Sequence, residues 1–250
     1  MVLHKVALGP EYDLLPDDSV EAMAGSMRHQ RVIVSVVNSL TRRSKCENLR
    51  WSVGNQLALI IPRQLGQPPY RPSPDITIHP SQLIDDHQAW VNINSFGPPA
   101  LAIEICNPTG GHRIPLEHDL ETLNSTGKPA AYARAGIPEY LVFDPAGEVI
   151  DRHILAWRAG ESGEYEDWLP DPGTGRWHSA LGISFAPQGV LLRVYDPDGN
   201  IVPDNDDMDE LMDALEAERA RERAERDAEL SAANARIAEL EAELRRQRGE

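Results

Sequence analysis

Residues 99–108 read PALAIEICNP, and the run Leu101-Ala102-Ile103-Glu104-Ile105 constrains the fold more than any other feature. Successive side chains of a strand point to opposite faces. Apolar residues at consecutive positions therefore require cover on both faces of the sheet. A second such run, PEYLVFDP (138–145), makes the same demand. Glu104 breaks the pattern. A buried carboxylate must be paired, protonated or bound to a cation, because an isolated buried charge is very costly.

The segments around these runs supply helices and further strands. In RHQRVIVSVVNSLTRRS, Ile33, Val36, Val37 and Leu40 recur at helical spacing. KPAAYARAGIP (128–138) predicts a helix with Pro129 at its first position and Gly136 just past its end. NQLALIIP (55–62) reads as one strand closed by Pro62, and PDITIHP (74–80) as another. WVNIN reads as strand or loop. EVIDRHILAWR (148–158) alternates and pairs with 138–145 across DPAGE; GEYEDWL, LGISFAP and GVLLRVYDPDG continue the strand pattern. The order helix, strands, helix, strands predicts an α/β domain over 1–203, a mixed sheet flanked by helices.

The end of the chain has a different character. Residues 206–250 contain one β-branched residue, Ile237, and no aromatic one. Leu230, Ile237 and Leu244 are seven apart and Leu240 follows Ile237 by three; Met208, Leu211 and Leu215 form a second short seam. Residues 204–250 therefore predict a coiled-coil-like helix, through which the chain forms a homo-oligomer. The competing reading is a solvated single helix held by Glu–Arg pairs four residues apart.

The formal net charge is −16. The helix segment 206–250 holds 15 of the 40 acids and 8 of the 24 Lys and Arg, so the body is acidic as well. Such a body offers no long-range attraction for nucleic acid, and any such partner needs a local basic patch or bound cations. RHQR (28–31) and TRRSK (41–45) are the basic clusters. Cys46 and Cys106 have no metal-ligand spacing, and a reducing compartment is the simpler reading. Neither a signal peptide nor an apolar run of about 20 residues stands out, so the expectation is a soluble cytoplasmic protein without a membrane span.

Asp75 follows Pro74 at the head of a strand, and Glu104 lies in a nearby one. Carboxylates from neighbouring strands meeting at one edge make an oxygen-rich site for a hard cation such as Mg²⁺. The cation offsets the buried charge of Glu104. Lys128, opening the next helix, supplies a positive group beside it. Acid, acid and lysine around a metal is the equipment of phosphodiester hydrolysis. Each residue also has a plainer reading. Asp75 is a strand-entry turn residue, Glu104 pairs with an arginine such as Arg134, and Lys128 is a solvated helix-start residue. His29 reads first as a surface or capping-region residue at a helix start, with contact to the site or the substrate as the other reading. Cys106 reads as a small core residue, and Trp157, Trp168 and Trp177 as core or sheet-face residues. His112 and His118, with Glu117 and Asp119, match no zinc motif.

The pattern PDITIHP … LAIEICNP … GKPAAYARAGIPEYLVFDP resembles the bacterial Uma-type restriction-endonuclease family of the PD-(D/E)XK nuclease superfamily. The resemblance runs through Pro74-Asp75, through Glu104 to Thr109, and through Lys128 to Tyr140. RHQR (28–31) is similar to the family's Arg-His-Gln, and LLRVYDPDGNIVP (191–203) before an Ala/Glu/Arg-rich tail is also family-like. It implies a restriction-endonuclease-like core with Asp75 and Glu104 as ligands of Mg²⁺ or Mn²⁺. It also implies that the lysine sits on the helix, as Lys128, while Cys106 holds the place two after Glu104. Glu21, in SVEAMAG, is the candidate for a further carboxylate near the first helix. This chain departs from the pattern with Asn107-Pro108-Thr109 for Ser-Pro-Ser, Asn124 for an acid, Leu141 for a tryptophan, and a longer segment 107–127.

The reading is a metal-dependent endonuclease whose partner is DNA. Its rivals are a catalytically inactive scaffold of the same fold and a coiled-coil protein-interaction module.

Overall fold

Helix α1 (Met27–Cys46) places Val32, Ile33, Val36 and Leu40 on one side, and all four are fully buried. They pack against a six-stranded sheet and a smaller three-stranded one. This is a computed structural model, and it describes residues 27–62, 68–81, 90–106, 128–148 and 150–248, the side chains at 247 and 248 excepted. These residues fall into two units that part between Val202 and Pro203.

In the first unit the strands are β1 (Ser52–Asn55), β2 (Ala58–Ile60), β3 (Ile76–His79), β4 (Trp90–Asn92), β5 (Leu101–Ile105), β6 (Glu139–Phe143), β7 (Ile154–Ala159), β8 (Tyr165–Asp167), β9 (Trp177–His178), β10 (Ser184–Gln188) and β11 (Leu191–Tyr195). The main sheet has the order β1-β3-β5-β6-β7-β8. Its β5–β6 pair is parallel and its other pairs are antiparallel. Mixed pairing of this kind needs a crossover between β5 and β6. The described part of that connection contains α3 (Lys128–Arg134).

Both faces of the sheet are covered, as the apolar runs require. Leu101, Ile103 and Ile105 of β5 join Leu141 and Phe143 of β6 in one core, which takes in α1 and the β11-β10-β9 sheet. Ala102, Cys106, Tyr140 and Val142 join a second core with Tyr132 of α3 and with Leu59 and Val91 of the parallel β2–β4 pair. Trp157, Trp168 and Trp177 are all buried. Buried Glu139 links the layers: it accepts from the Ser179 hydroxyl and, at 2.9 Å, from the Ala180 N–H.

One reading of the strands needs correction, and one left open is decided. NQLALIIP is not one strand. Gln56 takes φ = 50° and its N–H donates to the Asp75 carbonyl, so the chain turns between β1 and β2, which pair in different sheets. WVNIN contributes β4 and then the short α2 (Ile93–Phe96), outside the main sheet. That leaves β3 and β5 as direct neighbours.

The exit from α3 is a Schellman turn. Gly136 at φ = 77° donates to the Ala133 carbonyl, and the Ile137 N–H reaches back to the Tyr132 carbonyl. Ile137 and Tyr132 are both fully buried, which fixes α3 against β6.

The second unit is the helix α4 (Asn205–Arg248). A reciprocal cap starts it: the Asp207 N–H donates to Asp204 Oδ1 and the Asp204 N–H to Asp207 Oδ2, each at 3.0 Å. Every residue from 209 to 246 is exposed. Among the described residues, no helix is long and apolar enough to cross a membrane.

Candidate active site

The register of β3 and β5 sets Ile76 against Ile103 and Thr77 against Ala102. Continued by one residue, it sets Asp75 against Glu104, so the two side chains leave the same face of the sheet. Both residues are buried. The Ile105 N–H donates to Asp75 Oδ2 at 2.7 Å. His29, in the first turn of α1, meets the same oxygen through Nε2 at 3.2 Å. A carboxylate only accepts, so Nε2 carries the hydrogen.

Glu104 is held from the other core. Lys128 Nζ donates to its Oε1 at 3.0 Å and the Tyr132 hydroxyl to the same atom at 3.1 Å. Lys128 and Tyr132 are four residues apart on α3, the spacing that stacks side chains on one helix face. Tyr132 is fully buried, whereas the Lys128 side chain retains 35% of its exposure.

The electrostatics follow from burial and charge. Burial pushes the Glu104 carboxyl above its usual range; the Lys128 ammonium pulls against this, and the charge of Asp75 adds to it. For His29, burial works against the charged form, but the hydrogen bond and charge of Asp75 and the charge of Glu104 outweigh it and raise its pKa. Lys128 is likewise raised, because Glu104 outweighs the cost of its burial. Tyr132 is raised by burial first and by Glu104 second, so its hydroxyl keeps its proton. Burial, then Asp144, Glu104 and Asp75, push the Cys106 thiol up to about 12. Such a thiol is a core group and not a nucleophile.

Three of the four residues expected at the site converge: Asp75, Glu104 and Lys128. Glu21 lies outside the described residues, as do Asn107, Asn124 and the histidines at 112 and 118. The partner of Glu104 is Lys128, not Arg134. His29 is a buried neighbour of Asp75 and not a surface residue. The sequence reading assigns Tyr132 no role, although it lies four after Lys128 in the matched run Lys128 to Tyr140.

A family model described as "Uma2: Putative restriction endonuclease" matches residues 6–204. The chain belongs to this family. A crystal structure titled as that of a "putative nuclease belonging to DUF820" from Anabaena variabilis is similar over 59% of this chain and 74% of that one, at 14% identity and a TM-score of 0.35. No curated protein matches the chain.

For a Uma2 member the question is whether these residues suit a divalent cation. Among the described residues, no three His, Cys, Asp or Glu side chains are grouped as ligands. Two carboxylates are adjacent, and their bonds fall on one oxygen of each, Asp75 Oδ2 and Glu104 Oε1. The second oxygen of each is left as a hard donor. Two carboxylates, with water and phosphate oxygens completing the shell, suit Mg²⁺, which keeps much of its hydration. The donor set therefore fits.

Proposed function

We propose that this chain is an endonuclease that hydrolyses phosphodiester bonds in DNA with Mg²⁺ or Mn²⁺ held by Asp75 and Glu104. The observation that carries the reading is the facing pair itself: two buried carboxylates, each gripped at one oxygen only among the described residues. When bound, the cation supplies Lewis acidity at the phosphoryl oxygen and lowers the pKa of its water. The protein's own groups do the rest. Asp75 and Glu104 bind through their second oxygens. Lys128, partly exposed, brings an ammonium that moves from Glu104 to the charge developing on the phosphate. Arg28 and Arg31 are exposed on either side of buried His29. They give the acidic chain a local place for a phosphate backbone to approach. Glu21 is assigned a supporting carboxylate role.

In this reading 1–203 is the nuclease domain. The helix 204–250 associates with the same helix of a second copy, through Leu230, Ile237, Leu240 and Leu244, all exposed.

The test is nicking of supercoiled plasmid by the full chain with Mg²⁺ or Mn²⁺. Cleavage is expected for wild type and lost with chelator, Asp75→Ala or Glu104→Ala. Undiminished cleavage by either variant places the chemistry elsewhere.

A second reading, an inactive scaffold, draws on the pairing of each acid with a base, Asp75 with His29 and Glu104 with Lys128. Such a site is satisfied without a cation. Calorimetric titration with MnCl₂ separates the two, since a scaffold binds no better than Glu104→Ala.

A further inference from the structure

We infer that His29 and Tyr132 are positioning residues, which lock one oxygen of each carboxylate so that Asp75 Oδ1 and Glu104 Oε2 are presented together to one divalent cation. The inference rests on the metal-site reading above and deepens it.

Both side chains are buried, Tyr132 fully and His29 at 6% exposure. Neither is placed to contact a polymeric substrate. A hydroxyl or imidazole in such a place is costly unless its hydrogen bond is made. Here each donor is directed at a carboxylate: His29 at Asp75 Oδ2, Tyr132 at Glu104 Oε1. Each bond is doubled at the same oxygen by another donor, the Ile105 N–H on Asp75 and Lys128 Nζ on Glu104. Two donors on one oxygen fix the rotation of a carboxyl group and leave the other oxygen pointing away from them.

The two clamps come from different helices. His29 belongs to α1, whose apolar side enters one core, and Tyr132 sits in the other. The Tyr132 ring is itself fixed edge-on to Tyr140, with centroids 5.0 Å apart. Lys128 is the only clamp with substantial exposure, so it is the one able to leave for a substrate. Tyr132 then keeps Glu104 oriented after Lys128 has moved. This explains why one oxygen takes two donors from one helix. Groups that orient metal ligands typically change affinity 10- to 100-fold when removed.

The experiment is calorimetric titration of the full chain with MnCl₂, with thermal melts as a control for folding. Tyr132→Phe removes one oxygen and keeps the ring. His29→Ala removes the donor, and His29→Gln restores an N–H of similar reach. The expected result is about 10- to 100-fold weaker binding for Tyr132→Phe and His29→Ala. His29→Gln should recover most of it, with melting close to wild type. A purely packing role for His29 gives no such recovery and overturns its half of the inference. Wild-type affinity in Tyr132→Phe and His29→Ala, with Glu104→Gln inactive in binding, overturns the inference and leaves the metal site standing. No Mn²⁺ uptake by wild type overturns both.

Discussion

Asp75 stands opposite Glu104 across β3 and β5, and the N–H of Ile105, the residue after Glu104, ties it there at 2.7 Å. The main chain thus forces two acids together in a buried place. After burial itself, their mutual repulsion raises the Glu104 pKa against the pull of Lys128. An arrangement that costs stability in the free protein suits one that gains from a cation. Asp75→Asn should therefore lower plasmid nicking by at least about 100-fold, because a charged ligand is lost. Its melting temperature should stay level or rise, since one of two like charges is gone. Nicking within a few-fold of wild type would sink this account. So would a large drop in melting temperature, which would mean that the pair stabilises the fold.

How much of this was legible in the sequence depended on whether the cause was local. The helix spacing of Ile33, Val36 and Leu40 and the uninterrupted runs 101–105 and 139–143 carried the layered sheet, because periodicity and two-sided burial are local signals. Pro129 and Gly136 bracketed α3 for the same reason. The break at Gln56 was not legible, since its φ of 50° is held by the carbonyl of Asp75, 19 residues away. The burial of His29 likewise depends on a partner 46 residues distant. The choice of Lys128 over Arg134 was half legible: both lie on α3, but only Lys128 shares a face with Tyr132.

The apolar residues of α4 predict association. Leu230, Ile237, Leu240 and Leu244 are each about half exposed, and the ion pairs beside them on the helix are exposed ones, Arg236 with Glu239 at 3.0 Å and Arg245 with Glu241 at 4.0 Å. Exposed pairs of this kind stabilise a helix by well under 1 kcal/mol each. Light scattering should give a mass above the monomer for the full chain and the monomer mass for residues 1–203. Ile237→Glu should act as the truncation does. An oligomer that survives both changes would place the interface on the body.

Gly54 and Thr77 predict a coupled stability effect. They face each other across β1 and β3. A Cβ on Gly54 would lie 2.6 Å from the Thr77 hydroxyl oxygen and 3.0 Å from Leu57 Cδ2. Gly54→Ala should therefore cost about 1–3 kcal/mol by overpacking. The Thr77 hydroxyl is buried and makes no hydrogen bond among the described residues. Thr77→Ala in the Gly54→Ala background should recover part of the loss, since the nearest obstruction is removed. Urea unfolding of the double-mutant cycle measures this. Strict additivity would mean that the strand relaxes around the new methyl.

His79 predicts a pH dependence of opposite sign to that of His29. It is buried at the end of β3, its Nε2 has no hydrogen-bond partner among the described residues, and burial lowers its pKa to about 4. In the unfolded chain the imidazole titrates near 6.5. Between these values the unfolded state binds a proton that the folded state refuses, so stability falls as pH falls from 6.5 towards 4 and levels off below. Between pH 8 and pH 5 the loss due to His79 is about 2 kcal/mol. His29, whose pKa is raised, contributes stability that is present below 6.5 and lost at higher pH, so the wild-type curve mixes both. Comparison with His79→Leu isolates the first effect: its stability should change less between pH 8 and pH 5, by that amount, in urea melts. Equal pH dependence in the two proteins would show that the folded state accepts the proton on His79 after all.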